Sequence, residues 1–245
     1  MNLALLLVEC LTLSLSLSRI KNVNAENEIF ELENEAPSLN KKVASRVIEA
    51  MRCFNVDYGN YNSTNENTTE CKVGILATEL KKTTTSPLNN DMIKDCLRKI
   101  NSKESARASI TDIDELTNKI TSIGKENLKE LIRNANNEYE LIRILLDGSN
   151  NLSLTSKFCF HLASALYKND CGYSKYDKIV RKHLWHYKGL TKLKKINKTE
   201  FDNHEFDKYK RYCNVIGEIS ERTKLTRNEI DQIIWTYFRQ KRSKL

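Results

Sequence analysis

Apolar residues recur every three or four positions along most of the chain, the spacing of one face of an α-helix. Val43, Val47, Ile48 and Met51 begin the series after Pro37-Ser38. Tyr58 to Glu70 is rich in Asn, Thr and Ser and reads as a loop. Val73 to Leu80 resumes the helical pattern until Thr83-Thr84-Thr85-Ser86-Pro87 breaks it. Met92, Ile93, Leu97 and Ile100 form a short amphipathic helix, and Lys103 to Ser109 has no apolar face. Ile110, Ile113, Leu116, Ile120 and Ile123 then share a face, and Gly124 is a stop signal. Leu128, Leu131 and Ile132 mark another short helix. The pattern predicts helices over Asn137–Asp147 and Ser153–Tyr167, joined by a turn at Gly148–Leu152. A further helix is expected over Tyr176–Tyr187 and another over Phe201–Ile219. Thr226-Arg227-Asn228-Glu229 is a capping box that opens a last helix through Ile230, Ile233, Ile234 and Tyr237. No repeat period is present.

Composition narrows this to an all-α class. Two Pro and seven Gly in 245 residues are too few punctuators for many short strands and tight turns. A hydrophobic share of 40% is enough to build a core. Seven Cys, an odd number without CxxC pairs, disfavour both a disulfide scaffold and a zinc ribbon. Cys159, Cys171 and Cys213 read as core thiols.

Charge separates the two parts of the chain. Residues 151–245 carry 21 Lys and Arg against 10 acids, +11, whereas the first 150 carry 19 against 22, −3, giving the net +8. A basic C-terminal portion suits a polyanionic partner, although a solvated Lys-rich surface reads the same way. Lys192, Lys194 and Lys195, in the basic stretch Lys188 to Lys198, are candidate phosphate contacts. A metal centre is not expected. His183 and His186 are three apart on one helix, but no further ligands cluster with them.

The N-terminal 35 residues are set apart as an apolar segment and an acidic linker. Leu3 to Leu17 is shorter than the roughly 20 residues of a membrane span. A signal peptide over residues 1–25, ending at Val23-Asn24-Ala25, is the alternative to a core helix; against it, Glu9 interrupts the apolar run and no Lys or Arg precedes it. Residues 36–108 form an N-terminal helical region and 109–245 a second domain. An intracellular location with DNA is expected for the whole.

The stretch from Asp147 to Lys157 carries the chemistry. It joins two helices by a polar turn, and Ser153, Thr155 and Ser156 fall near the second helix's start. Unpaired N–H groups there can bind phosphate, as in an element that grips duplex DNA by its backbone. Lys157 lies in the same first turn, where the positive helix end disfavours an ammonium and favours the neutral amine that a Schiff-base nucleophile must be. Asp177 follows twenty residues on, a spacing that allows one helix and a turn back towards the lysine. On spacing alone, the plainer reading is a surface lysine and an aspartate in the next helix's first turn.

The run Ser153-Leu154-Thr155-Ser156-Lys157-Phe158-Cys159-Phe160-His161, with Tyr176-Asp177-Lys178-Ile179-Val180 after it, resembles the helix-hairpin-helix DNA glycosylase superfamily, in particular proteins with the 8-oxoguanine DNA glycosylase fold. Leu225 to Trp235 resembles their closing helix, and the likeness covers roughly residues 110 to 240. The turn departs from it, with Gly148-Ser149-Asn150-Asn151 in place of L-P-G-x-G. The resemblance implies an all-α helix-hairpin-helix bundle that excises a damaged base, an oxidised purine, from double-stranded DNA as a monomer and without a cofactor. Lys157 would be the nucleophile at C1′ and Asp177 the stabiliser of the sugar cation. Phe160, His161 and Trp235 would line the pocket for the flipped base. His161 also reads as a hydrogen-bonded structural residue, and Trp185 and Trp235 as core aromatics. A catalytically silent DNA-binding member of the same fold and a secreted helical protein are the rivals.

Overall fold

A computed structural model describes residues 32–33, 36–54, 60–82, 87–104, 106–133, 139–147, 151–167, 172–192, 196–202 and 205–242. The protein is predominantly helical. Two short antiparallel strands, β1 (Leu32–Glu33) and β2 (Ala36–Pro37), precede α1 (Lys41–Phe54). Then come α2 (Thr69–Lys81), α3 (Asn90–Lys103), α4 (Ile110–Ile123), α5 (Lys125–Arg133) and α6 (Glu140–Leu146). The central helix α7 (Leu152–Tyr167) is followed by α8 (Lys178–His183), a 3₁₀ segment (Leu184–Leu190), α9 (Phe206–Thr223) and α10 (Arg227–Arg242).

The starts of these helices follow local side-chain chemistry. Thr68 accepts the Cys71 N–H at 3.1 Å and starts α2 earlier than the apolar pattern alone implies. Asn89 caps α3, and Ser109 with Asp112 forms a capping box on α4. The expected box on α10 is present: the Glu229 N–H donates to Thr226 Oγ1, and the Thr226 N–H to Glu229 Oε2. Each such cap stabilises its helix by about 1 kcal/mol. At α1 the chain pairs as β1 and β2 before the helix, so the helix begins at Lys41 and not at Pro37-Ser38.

α7 is the hub. Leu152, Leu154, Phe158, Cys159, Leu162 and Ala163 are fully buried, and the helix packs against α2, α3, α5 and α6. A helix apolar on most sides is a core helix. Each large apolar side chain withdrawn from water here contributes roughly 1.5–3 kcal/mol. α1 packs against α10 instead, joined by a 2.8 Å ion pair between Lys41 and Glu229. The division expected near residue 108 therefore falls in the corner between α3 and α4, and helices on either side of it share one hydrophobic core. Residues 1–31, the turn residues Gly148, Ser149 and Asn150, and Cys171 lie outside the described residues. Among the described residues no helix is long and apolar enough to cross a membrane.

Candidate functional site

Lys157 and Asp177, which their spacing allows to meet and the resemblance pairs, do meet. Lys157 Nζ lies 3.5 Å from Asp177 Oδ2, and Lys157 is 1% exposed. The expected helix over Tyr176–Tyr187 begins only at Lys178, because Asp177 itself caps α8: its Oδ1 accepts the Ile179 N–H at 2.7 Å. One carboxylate oxygen is thereby tied to the helix start, and the other faces the lysine.

The segment that delivers Asp177 is extended and held on both sides. The Tyr176 N–H donates to Ser156 Oγ on α7 at 3.0 Å. From α9, Tyr209 donates to the Ser174 carbonyl at 3.1 Å and Tyr212 to the Lys175 carbonyl at 3.0 Å. Burial drives both tyrosine hydroxyls well above their ordinary pKa, so they stay donors at neutral pH. Arg227, at the start of α10, donates to Ser174 Oγ at 3.2 Å and to the Cys213 carbonyl at 2.6 Å.

These contacts correct the expectation that Ser153, Thr155 and Ser156 hold phosphate. Thr155 and Ser156 are fully buried. Thr155 Oγ1 donates to the Asn151 carbonyl, and Ser156 Oγ donates to the Ser153 carbonyl while accepting from Tyr176. The Leu154 N–H is taken by Asn151 Oδ1 and the Thr155 N–H by the Asn151 carbonyl, so these amides do not point outward. Of the three residues, Ser153 alone is partly exposed. Lys192 is exposed, and Lys194 and Lys195 lie outside the described residues.

A second set of groups surrounds the lysine, and of its members only His161 belongs to a motif read from the sequence. Glu104, just past α3, accepts the Lys157 Nζ–H on its backbone carbonyl at 2.6 Å. Its carboxylate meets His161 Nε2 through Oε1 and lies 3.7 Å from Lys175 Nζ through Oε2. His161 Nδ1 is 2.7 Å from Tyr61 Oη, which closes a chain from the loop before α2 to the lysine. Burial pushes the Glu104 carboxyl up, but the charges of His161, Lys175 and Lys157 outweigh it and hold the group well below the usual carboxylate range.

Asp231 on α10 completes the cluster. Among the described residues, its Oδ1 is buried without a hydrogen-bond partner. Burial pushes its carboxyl up to about 7, Lys175 and Lys157 oppose the rise, and the Asp177 and Glu104 charges add to it. The cluster thus holds Lys157, Lys175 and His161 against Glu104, Asp177 and Asp231.

The expected pocket residues divide. His161 is 4% exposed and engaged by Glu104 and Tyr61, in line with its structural reading. Phe160 is buried, with Lys175 Nζ 4.9 Å above its ring. Trp235 is half-buried and carries Arg239 at 4.4 Å. His183 and His186 stack with Phe238, and Trp185 stacks on His186 at 3.8 Å. Cys159 and Cys213 are buried free thiols. Comparison of the chain with family models, with curated proteins and with solved structures returns no match.

Proposed function

We propose that this protein is a helix-hairpin-helix DNA glycosylase with abasic-site lyase activity, acting inside the cell as a monomer on duplex DNA that contains a damaged base. The observation that carries the reading is the 3.5 Å approach of Lys157 to Asp177, two residues from separate elements that share no local contact in the sequence. The α6 and α7 helices, with the polar sequence Gly148-Ser149-Asn150 between them, are the candidate hairpin, and the basic C-terminal portion is the candidate phosphate surface. The substrate favoured by the resemblance is an oxidised purine.

In this scheme the neutral Lys157 amine forms a bond to the sugar C1′ while the glycosidic C–N bond breaks. The base leaves with the electron pair and takes up a proton. Asp177 stabilises the positive charge on the sugar and accepts a proton from the attached nitrogen. The ring oxygen departs, protonated, and leaves an imine on Lys157. Loss of a C2′ proton then expels the 3′ phosphate. The orientation of Asp177 by its cap on α8 fits this role, because Oδ2 faces the amine. Of the three expected pocket side chains, Trp235 retains the most open surface.

The catalytically silent DNA-binding reading has its own observation: Lys157 is buried and its Nζ donates to the Glu104 carbonyl. Borohydride trapping on duplexes bearing an oxidised purine or an abasic site separates the two. An active protein forms a covalent complex that Lys157→Gln abolishes while duplex binding persists. Asp177→Asn should slow base release by about 100-fold or more. Binding without any trapped complex supports the silent reading.

A further inference from the structure

We propose that Glu104 is a positioning residue for the Lys157 amine, orienting its lone pair jointly with Asp177. The inference rests on the reading of Lys157 as a nucleophile. A protonated lysine has three N–H donors, and the neutral amine that attacks has two and a lone pair. Among the described residues, two acceptors lie at Lys157 Nζ: the Glu104 carbonyl at 2.6 Å and Asp177 Oδ2 at 3.5 Å. Once the third proton has gone, these two acceptors engage the two remaining N–H bonds. The lone pair is then left in the remaining tetrahedral direction, away from both.

Glu104 is equipped to hold its carbonyl in place. It caps the end of α3, with its own N–H donating to the Ile100 carbonyl at 2.9 Å. An amine at a helix C-terminus meets carbonyls that no intrahelical N–H satisfies. The end of α3 thus receives the Lys157 amine on the Glu104 carbonyl. The Glu104 side chain is anchored separately, by His161 on one oxygen and Lys175 on the other, and Tyr61 secures His161 from a third element. His161 and Tyr61 reach the amine through Glu104, whose carbonyl receives it.

The test uses the full-length protein and a duplex with a single abasic site, followed by borohydride trapping under single turnover alongside a separate measurement of duplex Kd. Glu104→Ala removes both carboxylate anchors and should slow trapping by about 100-fold, the effect of a nucleophile displaced by about 1 Å. Its duplex Kd should stay within a factor of three. Tyr61→Phe removes the hydroxyl that meets His161 Nδ1 and should slow trapping about fivefold with unchanged Kd. It serves if Glu104→Ala does not fold. A general structural role would weaken binding and trapping together, and that outcome overturns the proposal. Trapping at the wild-type rate in either folded variant overturns it too, while leaving the lyase reading intact. Absence of any complex with the wild-type protein removes the lyase reading and this proposal with it.

Discussion

Glu104 and Asp231 are both acidic, both largely enclosed and both in the same cluster, yet their environments drive them in opposite directions. Glu104 sits at the end of α3, where His161, Lys175 and Lys157 converge on it, and it remains an anion far into acid. Asp231 sits inside α10, where burial dominates and one oxygen lacks a hydrogen-bond partner among the described residues, and its carboxyl is pushed up to about 7. The difference lies in direct contact. A largely enclosed carboxylate with cations close against it keeps its charge, and one that meets cations only at longer range tends to gain a proton.

Removing Glu104 should have the largest effect. Glu104→Ala leaves Lys175 and His161 buried without their anion, and loss of one partner of a buried pair costs about 3 kcal/mol or more. Urea unfolding at pH 7 should show a midpoint shift of that size. A change below about 1 kcal/mol would mean that water replaces the carboxylate at little cost. The Glu104 contribution, from a lowered pKa, is complete above the unfolded value near 4.5 and is lost only in strong acid.

Asp231 should behave with the opposite sign. Its folded value near 7 lies above the ordinary 3.8, so its contribution is complete below pH 4 and disappears as pH rises through 7. Asp231→Asn should therefore match the wild type near pH 4 and be more stable at pH 8, by at most about 4 kcal/mol. Thermal unfolding across that range is the measurement. A variant less stable than wild type at pH 8 would show that the charged Asp231 serves Lys175 and Lys157 as a counter-ion. The smallest effect is expected from Lys175→Met, since this cation lowers both carboxyls. Carboxyl-carbon NMR titration should find Asp231 moved to still higher pH and Glu104 moved up with it. Movement of only one would show that Lys175 serves that carboxylate alone.

The legible part of the site is the part written as short-range spacing. The spacing of Lys157 and Asp177 allows them to meet but by itself favours a surface lysine, and the resemblance is what pairs them; α10 is legible from spacing, because its capping box lies within four residues. Glu104 and Tyr61 reach His161 across 57 and 100 residues, and nothing local in either stretch announces a partner at that distance. Ser156 was legible as a polar residue at a helix start but not in its role. A hydroxyl there serves a phosphate or a neighbouring backbone amide equally well until the tertiary surroundings choose, and here Tyr176 takes it. The helical pattern likewise ran two residues too far back at α8, because apolar periodicity does not register that Asp177 turns its carboxylate onto the Ile179 amide and so starts the helix there.

The docking of α1 on α10 bears on how the chain acquires its shape. Lys41 and Glu229 are 188 residues apart, so their union closes a loop that spans most of the described fold. Contacts of such separation are slow to form, because the entropy of closure is lost before the packing is gained. The α2–α7 assembly rests on closer neighbours and can condense first, leaving α1 to dock after α10 has left the ribosome. On that account Lys41→Met should leave the refolding rate nearly unchanged and accelerate unfolding, a low φ-value in a stopped-flow chevron. A slowed refolding limb would instead place the closing of this loop in the folding nucleus.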